Sequence, residues 1–347
     1  MTTQGSRQDS CPLCGNRVES LHSAQPGYRL DLTYEIRHCP VCDTSFAHPL
    51  EVDSSIYDAI YAHASEIPGY DRYAEYAKAV LEVADPLGHL AGAEDVYWSI
   101  RSCLEQVRPG ARILDVGSGL GYLTYALAKS GHDVTGIDIS TVAVANANQR
   151  YGPYYQEADL ADWSVRKAGE FDLVVMAELL EHIPDPAGFL DLTVKLLRPG
   201  GRLVVTTPNK SYFPAQTLWE TEAPPVHLWW FSESSMRALA KRMGLGITFV
   251  DFAPFNRLHP NPRARVIAPN HPSFGAMLDG HNRPLSQAAM RQEKRKRRPS
   301  FYRLRRWATF WAGALRSLRD RFHPEPTMQR RTILCAVMSK PDPSFPA

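Results

Sequence analysis

Between residues 111 and 207, short β-branched runs alternate with helical patterns. ARILDVG, HDVTGIDI, FDLVVMA and RLVVTTP read as strands, each bounded by Gly, Asp or Pro turn signals. This alternation constrains the fold more than any other feature, because strands joined through helical crossovers run parallel and need helices on both faces. A helix is expected over 232–243, opened by Ser232 with Glu233 in its first turn and closed by Gly244. Further strands are expected at 247–252 (ITFVDF) and 332–339 (TILCAVMS).

The first of these strands runs into Asp115-Val116-Gly117-Ser118-Gly119-Leu120-Gly121, and a helical run from Leu123 to Lys129 follows. Glycines at 117, 119 and 121 let the backbone turn sharply and approach a ligand closely. A dinucleotide fingerprint would place its third glycine at 122, where this chain has Tyr122, so the pyrophosphate version is excluded. Asp138 ends the next strand, 21 residues after Gly117, where its carboxylate can accept from both hydroxyls of a ribose.

Over about residues 100–252 the chain resembles the class I S-adenosylmethionine-dependent methyltransferases. The likeness rests on ILDVGSGLG (113–121), VTGIDIS (134–140), EADL (157–160), FDLVVMAELLEHIPDP (171–186) and LLRPGGRLVVTTPN (196–209), in that order. It implies a Rossmann-like seven-stranded α/β sheet. It also implies cofactor contacts from Asp115, Gly117, Gly119 and Gly121, ribose binding by Asp138 and adenine recognition by Asp159. Ala177 and Glu178 would lie beside the methionine amine. A sulfonium cofactor carries no phosphate, so carboxylates and carbonyls suit it better than a cationic clamp.

Methyl transfer to a hydroxyl needs in-line alignment and removal of a proton. His182, in EHIPD after the strand at 171–177, is the expected base, the alternative being a histidine that only holds the loop. His227, in PPVHLWW, is a second candidate, and Trp229 and Trp230 beside it suit either a substrate ring or the core.

Cys11-Pro-Leu-Cys14 and Cys39-Pro-Val-Cys42 are two knuckles whose four thiolates suit a closed, structural Zn2+ shell, with disulfide or redox use as the alternative. Cys103 and Cys335 read as buried residues. Knuckles, then FAHP (46–49), then a stretch holding Tyr57, Tyr61, Tyr70 and Tyr73, resemble bacterial methyltransferases of sugar and surface-glycan biosynthesis. Zinc-bearing relatives that methylate ribosomal RNA use a shorter Cys/His spacing that is missing here. The expected organisation is a zinc ribbon at 1–50 and a helical lid or linker at 51–110. The cofactor-binding core at 111–253, a basic insert at 254–331 and the last strand and tail at 332–347 complete it.

Charge locates the remaining partner. Residues 281–331 hold 15 Lys or Arg against 3 Asp or Glu, whereas the whole chain sums to +2. FYRLRRWATFWAGALRSLRDRF (301–322) gathers Leu304, Trp307, Ala308, Trp311, Leu315, Leu318 and Phe322 on one stripe at ~100° per residue. Core packing is one reading of that stripe. As a partner surface, 291–323 suits an anionic membrane better than nucleic acid, which gives no reason for an apolar face. No run reaches the roughly 18 apolar residues of a membrane span, and MTTQGSRQDS does not resemble a secretory signal, so a cytoplasmic protein, in contact with the membrane at its periphery, is expected. The leading functional expectation is methyl transfer to a hydroxyl of a sugar, a glycan-linked or another small acceptor. The alternatives are a zinc-ribbon RNA methyltransferase and a non-catalytic scaffold that keeps the cofactor fold.

Overall fold

The computed structural model describes residues 10–63, 66–67, 69–213, 223–259, 275–296 and 329–344. In chain order the elements begin with strands β1 (Glu19–Pro26), β2 (Thr33–Cys39) and β3 (Thr44–His48). Helices α1 (Ser54–Ala62), α2 (Asp71–Ala79), α3 (Pro86–Ala93) and α4 (Asp95–Leu104) follow. Then come β4 (Arg112–Val116), α5 (Tyr122–Lys129), β5 (Asp133–Asp138), α6 (Thr141–Tyr151), β6 (Tyr155–Glu157) and α7 (Leu160–Arg166). These lead into β7 (Phe171–Ala177), α8 (Pro186–Leu196) and β8 (Leu197–Pro208). The last described elements are β9 (Trp229–Trp230), α9 (Glu233–Arg242), β10 (Gly246–Phe249), α10 (Ala253–Leu258), α11 (Gln287–Lys296) and β11 (Ile333–Ser339). No helix among the described residues is long and apolar enough to cross a membrane.

The chain divides into two compact units. One comprises Met1–Ile67, Asn209–Ser234 and Asp251–Thr332, the other Pro68–Pro208, Ser235–Val250 and Ile333–Ala347. The second unit is the expected α/β body, a seven-stranded sheet in the order β10-β11-β8-β7-β4-β5-β6. β8, β7, β4, β5 and β6 are parallel, and β11 runs antiparallel to both neighbours. Apolar runs rather than alternation mark strands covered on both faces, and Ile113, Leu114, Val174, Val175, Met176, Val204 and Val205 are fully buried. Caps set the helix starts: Ser140 accepts from Ala143 N at 3.2 Å for α6, and Asp185 accepts from Gly188 N at 3.0 Å for α8, where Pro186 takes the first helical position.

The first unit is built on a four-stranded antiparallel sheet, β1-β2-β3-β9. Segments remote in sequence complete it. Ala47 N donates to Leu228 O at 2.8 Å and Tyr28 N to Pro224 O at 2.7 Å, while Leu30 N reaches Leu278 O at 3.0 Å. Trp229 and Trp230 are core, not a substrate platform. Both are buried, and Trp229 lies 5.2 Å from Phe46 and 5.8 Å from Phe231, ring centre to ring centre. Of the basic insert, α11 covers 287–296, and the apolar stripe at 301–322 lies outside the described residues.

Within this unit Lys210 is buried, with its ammonium paired to the carboxylate of Asp43, the residue directly after Cys42. Asp43 has φ of 53°, a left-handed position where Asn is tolerated as well as Asp. Asp43→Asn therefore keeps the turn and removes the charge, leaving the Lys210 ammonium buried without its carboxylate. We expect a loss of about 2–3 kcal/mol, read as a lower urea midpoint; an unchanged midpoint would show that the pair is not structural.

Candidate active site

In the sheet unit the strand order reverses between β4 and β7, and open α/β sheets bind ligands in the crevice at such a point. The loop after β4 lies there. Gly117 N and Ser118 N both donate to Ile137 O, at 2.8 and 3.0 Å, and Gly121 N donates to Ser118 O at 2.9 Å. Gly121 has φ of +83°, and a Cβ on it would come within 2.8 Å of Ala147 Cβ and 2.9 Å of the Tyr155 ring. Gly119, at φ of +48°, differs: a Cβ there would meet nothing closer than Gly117 O at 3.9 Å, so the loop opens onto free space at this residue.

Asp138 carries the loop. Its Oδ2 accepts from Gly119 N at 2.9 Å and its Oδ1 from Ser140 N at 2.9 Å. Each oxygen keeps a further lone pair for a ligand. Ala158 N donates to Asp138 O at 3.1 Å, which brings Asp159 beside it, and Asp159 caps α7 by accepting from Ala161 N at 2.6 Å. Ile139, next to Asp138, is 81% exposed, an apolar side chain in water directly beside a candidate ribose ligand. Sequence reading passed over Ile139, although its position after the strand-ending acid was a signal. Ser118 Oγ is buried and has no hydrogen-bond partner among the described residues, which suits a polar ligand at the loop.

Two more acids belong to this end of the sheet. Asp115 is fully buried, and Thr124 Oγ1 donates to its Oδ2 at 2.6 Å. Burial raises its pKa to about 7, against the lowering effect of the Thr124 hydrogen bond, and the Asp138 charge adds to the rise. Ala177 ends β7, and Glu178 after it sits at φ of 51° with its N–H on Thr206 O (3.2 Å) and Thr206 Oγ1 (3.1 Å). His182 closes a 3-10 turn, Leu180–His182, and is half-buried, with its N–H on Leu179 O at 3.0 Å. Beside the loop, Tyr122 opens α5 and its hydroxyl lies 2.6 Å from that of Tyr97; burial pushes the Tyr122 phenol well up.

The structure thus gathers Asp115, Asp138 and Ala177 at the C-terminal ends of β4, β5 and β7, and Gly117, Gly119, Gly121, Asp159, Glu178 and His182 in the loops that follow β4, β6 and β7. His227 is a buried residue of the first unit, in the segment leading to β9.

The first unit also holds the thiol cluster. The sulfurs of Cys11, Cys14, Cys39 and Cys42 lie within 4.8 Å of one another, with Cys11–Cys42 at 3.6 Å and Cys14–Cys39 at 3.5 Å. A tetrahedron of Zn–S bonds of about 2.3 Å has edges of about 3.8 Å, so the four fit a closed zinc shell.

Comparison with known proteins follows this geometry. A family model described as a methyltransferase domain matches residues 72–248. Ubiquinone biosynthesis O-methyltransferases from Psychrobacter arcticus and Aromatoleum aromaticum are 40% identical over 109 residues and 38% identical over 108 residues. These stretches cover 29% and 30% of this chain, and 42% and 46% of those proteins. The chain therefore spans less than half the length of these curated relatives. A crystal structure of a SAM-dependent methyltransferase from Archaeoglobus fulgidus is similar with a TM-score of 0.43 and 13% identity, covering 70% of this chain and 91% of that one. One from Mesorhizobium loti has a TM-score of 0.40 and 22% identity, covering 50% and 91%.

Asp115 makes stability depend on pH in a predictable direction. Its pKa is about 7 when folded and roughly 4 when unfolded, so the folded chain holds the proton more tightly. The contribution is full below about pH 4 and is lost as pH rises through about 7. Asp115→Asn should match the wild type in melting temperature at pH 4 and exceed it at pH 8, where ionising the buried carboxyl costs as much as about 4 kcal/mol. A gap that shrinks with rising pH would refute the assignment.

Proposed function

The chain belongs to the methyltransferase-domain family, and from that premise we propose that it transfers a methyl group from S-adenosylmethionine to a hydroxyl of a small or glycan-linked acceptor. The observation that carries the cofactor reading is the Asp138 carboxylate bonded to Gly119 N, beside a loop that opens at Gly119 and leaves Ser118 Oγ buried without a partner among the described residues. When bound, S-adenosylmethionine supplies an electrophilic methyl on a positively charged sulfur.

The residues divide the remaining work. Asp138 holds the ribose hydroxyls through the lone pairs its backbone bonds leave, Ile139 offers an apolar face to the adenine ring, and Asp159 accepts from the adenine amine. Glu178 supplies negative charge where the methionine amine and sulfonium lie, and Asp115, on the strand that leads into the glycine loop, adds charge only to the extent that its buried carboxyl ionises. His182 takes the proton of the acceptor hydroxyl. An oxygen acceptor agrees with the relatives' names, since both are O-methyltransferases. The resemblance carried by the knuckles and the Tyr-rich stretch is the ground for a glycan-linked hydroxyl rather than an acceptor of ubiquinone biosynthesis, which those names print. Methyl-labelled cofactor given to fractionated lysate tests this: label in lipid-linked glycan or small polyols supports it, and label in quinone precursors or RNA overturns it.

We also assign the four thiolates to one structural zinc. Elemental analysis should find about one zinc per chain, lost in Cys11→Ser and Cys39→Ser, and metal-free wild-type protein would refute the ribbon.

Asp138→Ala should weaken S-adenosylhomocysteine binding on the order of 10- to 100-fold by calorimetry, with the far-ultraviolet circular dichroism spectrum retained. His182→Ala should lower turnover by roughly 10²- to 10⁴-fold with the cofactor Kd unchanged; a normal rate would leave that histidine a loop-holding role.

A further inference from the structure

At the opposite end of the same strands lies a second, chemically different hollow. It encloses about 440 Å³ and is lined by Gln106, Arg108, Asp172, Arg198 and Arg202, all of the sheet unit, with Gly200 at its edge. Asp172 is the second residue of β7 and Glu178 directly follows that strand, so the two ends are about 20 Å apart at about 3.3 Å per residue. The hollow is therefore no part of the crevice assigned above.

Its charges do not cancel. Asp172, with a side chain 4% exposed, accepts from Arg108 Nε (3.2 Å) and Nη2 (2.8 Å) and from Arg112 N (2.8 Å), and Arg198 Nε stands 2.5 Å away. One buried carboxylate thus holds two guanidinium groups in place. Arg202 has no such partner. Its Nη1 donates to Gln106 Oε1 at 2.9 Å and its Nη2 to Gln106 O, both neutral, and no carboxylate pairs with it among the described residues. Asp342 stands at the rim, near enough that a Cβ on Gly200 would lie 3.3 Å from its Oδ2, and it accepts from Ser344 N at 2.9 Å. Three guanidinium groups against two carboxylates leave a net positive hollow even when the rim is counted.

We propose that this hollow binds a phosphoryl group, as free phosphate or as the end of a small phosphomonoester. Guanidinium forks match phosphate oxygens in pairs. Arg202 is placed opposite Leu173 by the β7–β8 register, and Asp172 holds Arg108 and Arg198, so the three groups are positioned before a ligand arrives. Three guanidinium groups around one hollow suit an anion with three free oxygens, whereas a carboxylate offers only two. Arg108 keeps Nη1 and Arg198 keeps both Nη groups beyond their bonds to Asp172. The volume lies within the range of small-ligand sites, but its wall is polar, which selects a charged ligand over an apolar one.

The test uses the full chain in chloride buffer, with inorganic phosphate or glycerol 3-phosphate added at constant ionic strength. Both should raise the melting temperature and give a saturable heat of binding, while the Kd for S-adenosylhomocysteine stays unchanged. Arg202→Gln should weaken phosphate binding at least tenfold and Arg202→Lys should restore only part of it, since charge returns without the fork. Arg108 and Arg198 are left intact, because their loss would strand buried Asp172. Equal affinity for the two probes identifies free phosphate as the ligand, and tighter binding of the ester identifies a phosphomonoester. The proposal fails if phosphate acts no differently from chloride, if Arg202→Gln binds as wild type does, or if phosphate competes with S-adenosylhomocysteine.

Discussion

The Asp138 carboxylate bonds to two backbone amides that belong to different turns, Gly119 N in the loop after β4 and Ser140 N at the start of α6. Charge-assisted bonds of this kind are stronger than neutral ones, and here they fix the path of a loop whose glycines give it little stiffness of its own. The loop can pass there because Gly121 lets it run against Ala147 and Tyr155, where a side chain would collide. The open face of Gly119 and the Ser118 hydroxyl, without a partner among the described residues, belong to the loop placed in this way.

The two ends of the strands in the sheet unit differ in charge, although acids also stand among the arginines: Arg112 pairs with Glu170 and Asp133, and Arg108 and Arg198 pair with Asp172. Asp115, Asp138, Asp159 and Glu178 belong to the ends where β4, β5, β6 and β7 run out, and Arg108, Arg112, Arg198 and Arg202 to the ends where β4 and β8 begin. The acidic end suits a cationic sulfonium, and the basic end suits an anion. Buried Asp172 makes the basic end possible by holding Arg108 and Arg198 close together in spite of their like charge.

The first unit solves another problem. Three short strands make too small a core to stand alone, and here chain segments from far downstream supply what is missing. Trp229 and Trp230 add a fourth strand, and Lys210 reaches the residue after the second knuckle. The Arg29 guanidinium, paired to Asp31 at 2.8 Å and Asp53 at 3.2 Å, also bonds Asn282 Oδ1 at 3.2 Å and so ties part of the insert to the ribbon.

Much of this was legible in the sequence. The parallel strands, the glycine loop, Asp138 at its distance from Gly117 and the four cysteines depend on local spacing, and spacing survives in a linear reading. β6 has only three residues and β9 only two, too short for any periodicity, so both strands were missed. The assignment of the two tryptophans to the core, the burial of Asp115 and the pairing of Lys210 with Asp43 were decided by contacts between residues far apart in the chain. The arginine hollow is the extreme case. Arg108, Asp172, Arg198 and Arg202 share no motif along the chain, and the β7–β8 pairing together with the Asp172 ion pairs brings them together. Sequence by itself determined which chemistry each segment carries, because a motif is a property of neighbours. The tertiary structure alone decided which charges are buried and which stay uncompensated, because desolvation and Coulomb energy depend on distance in space.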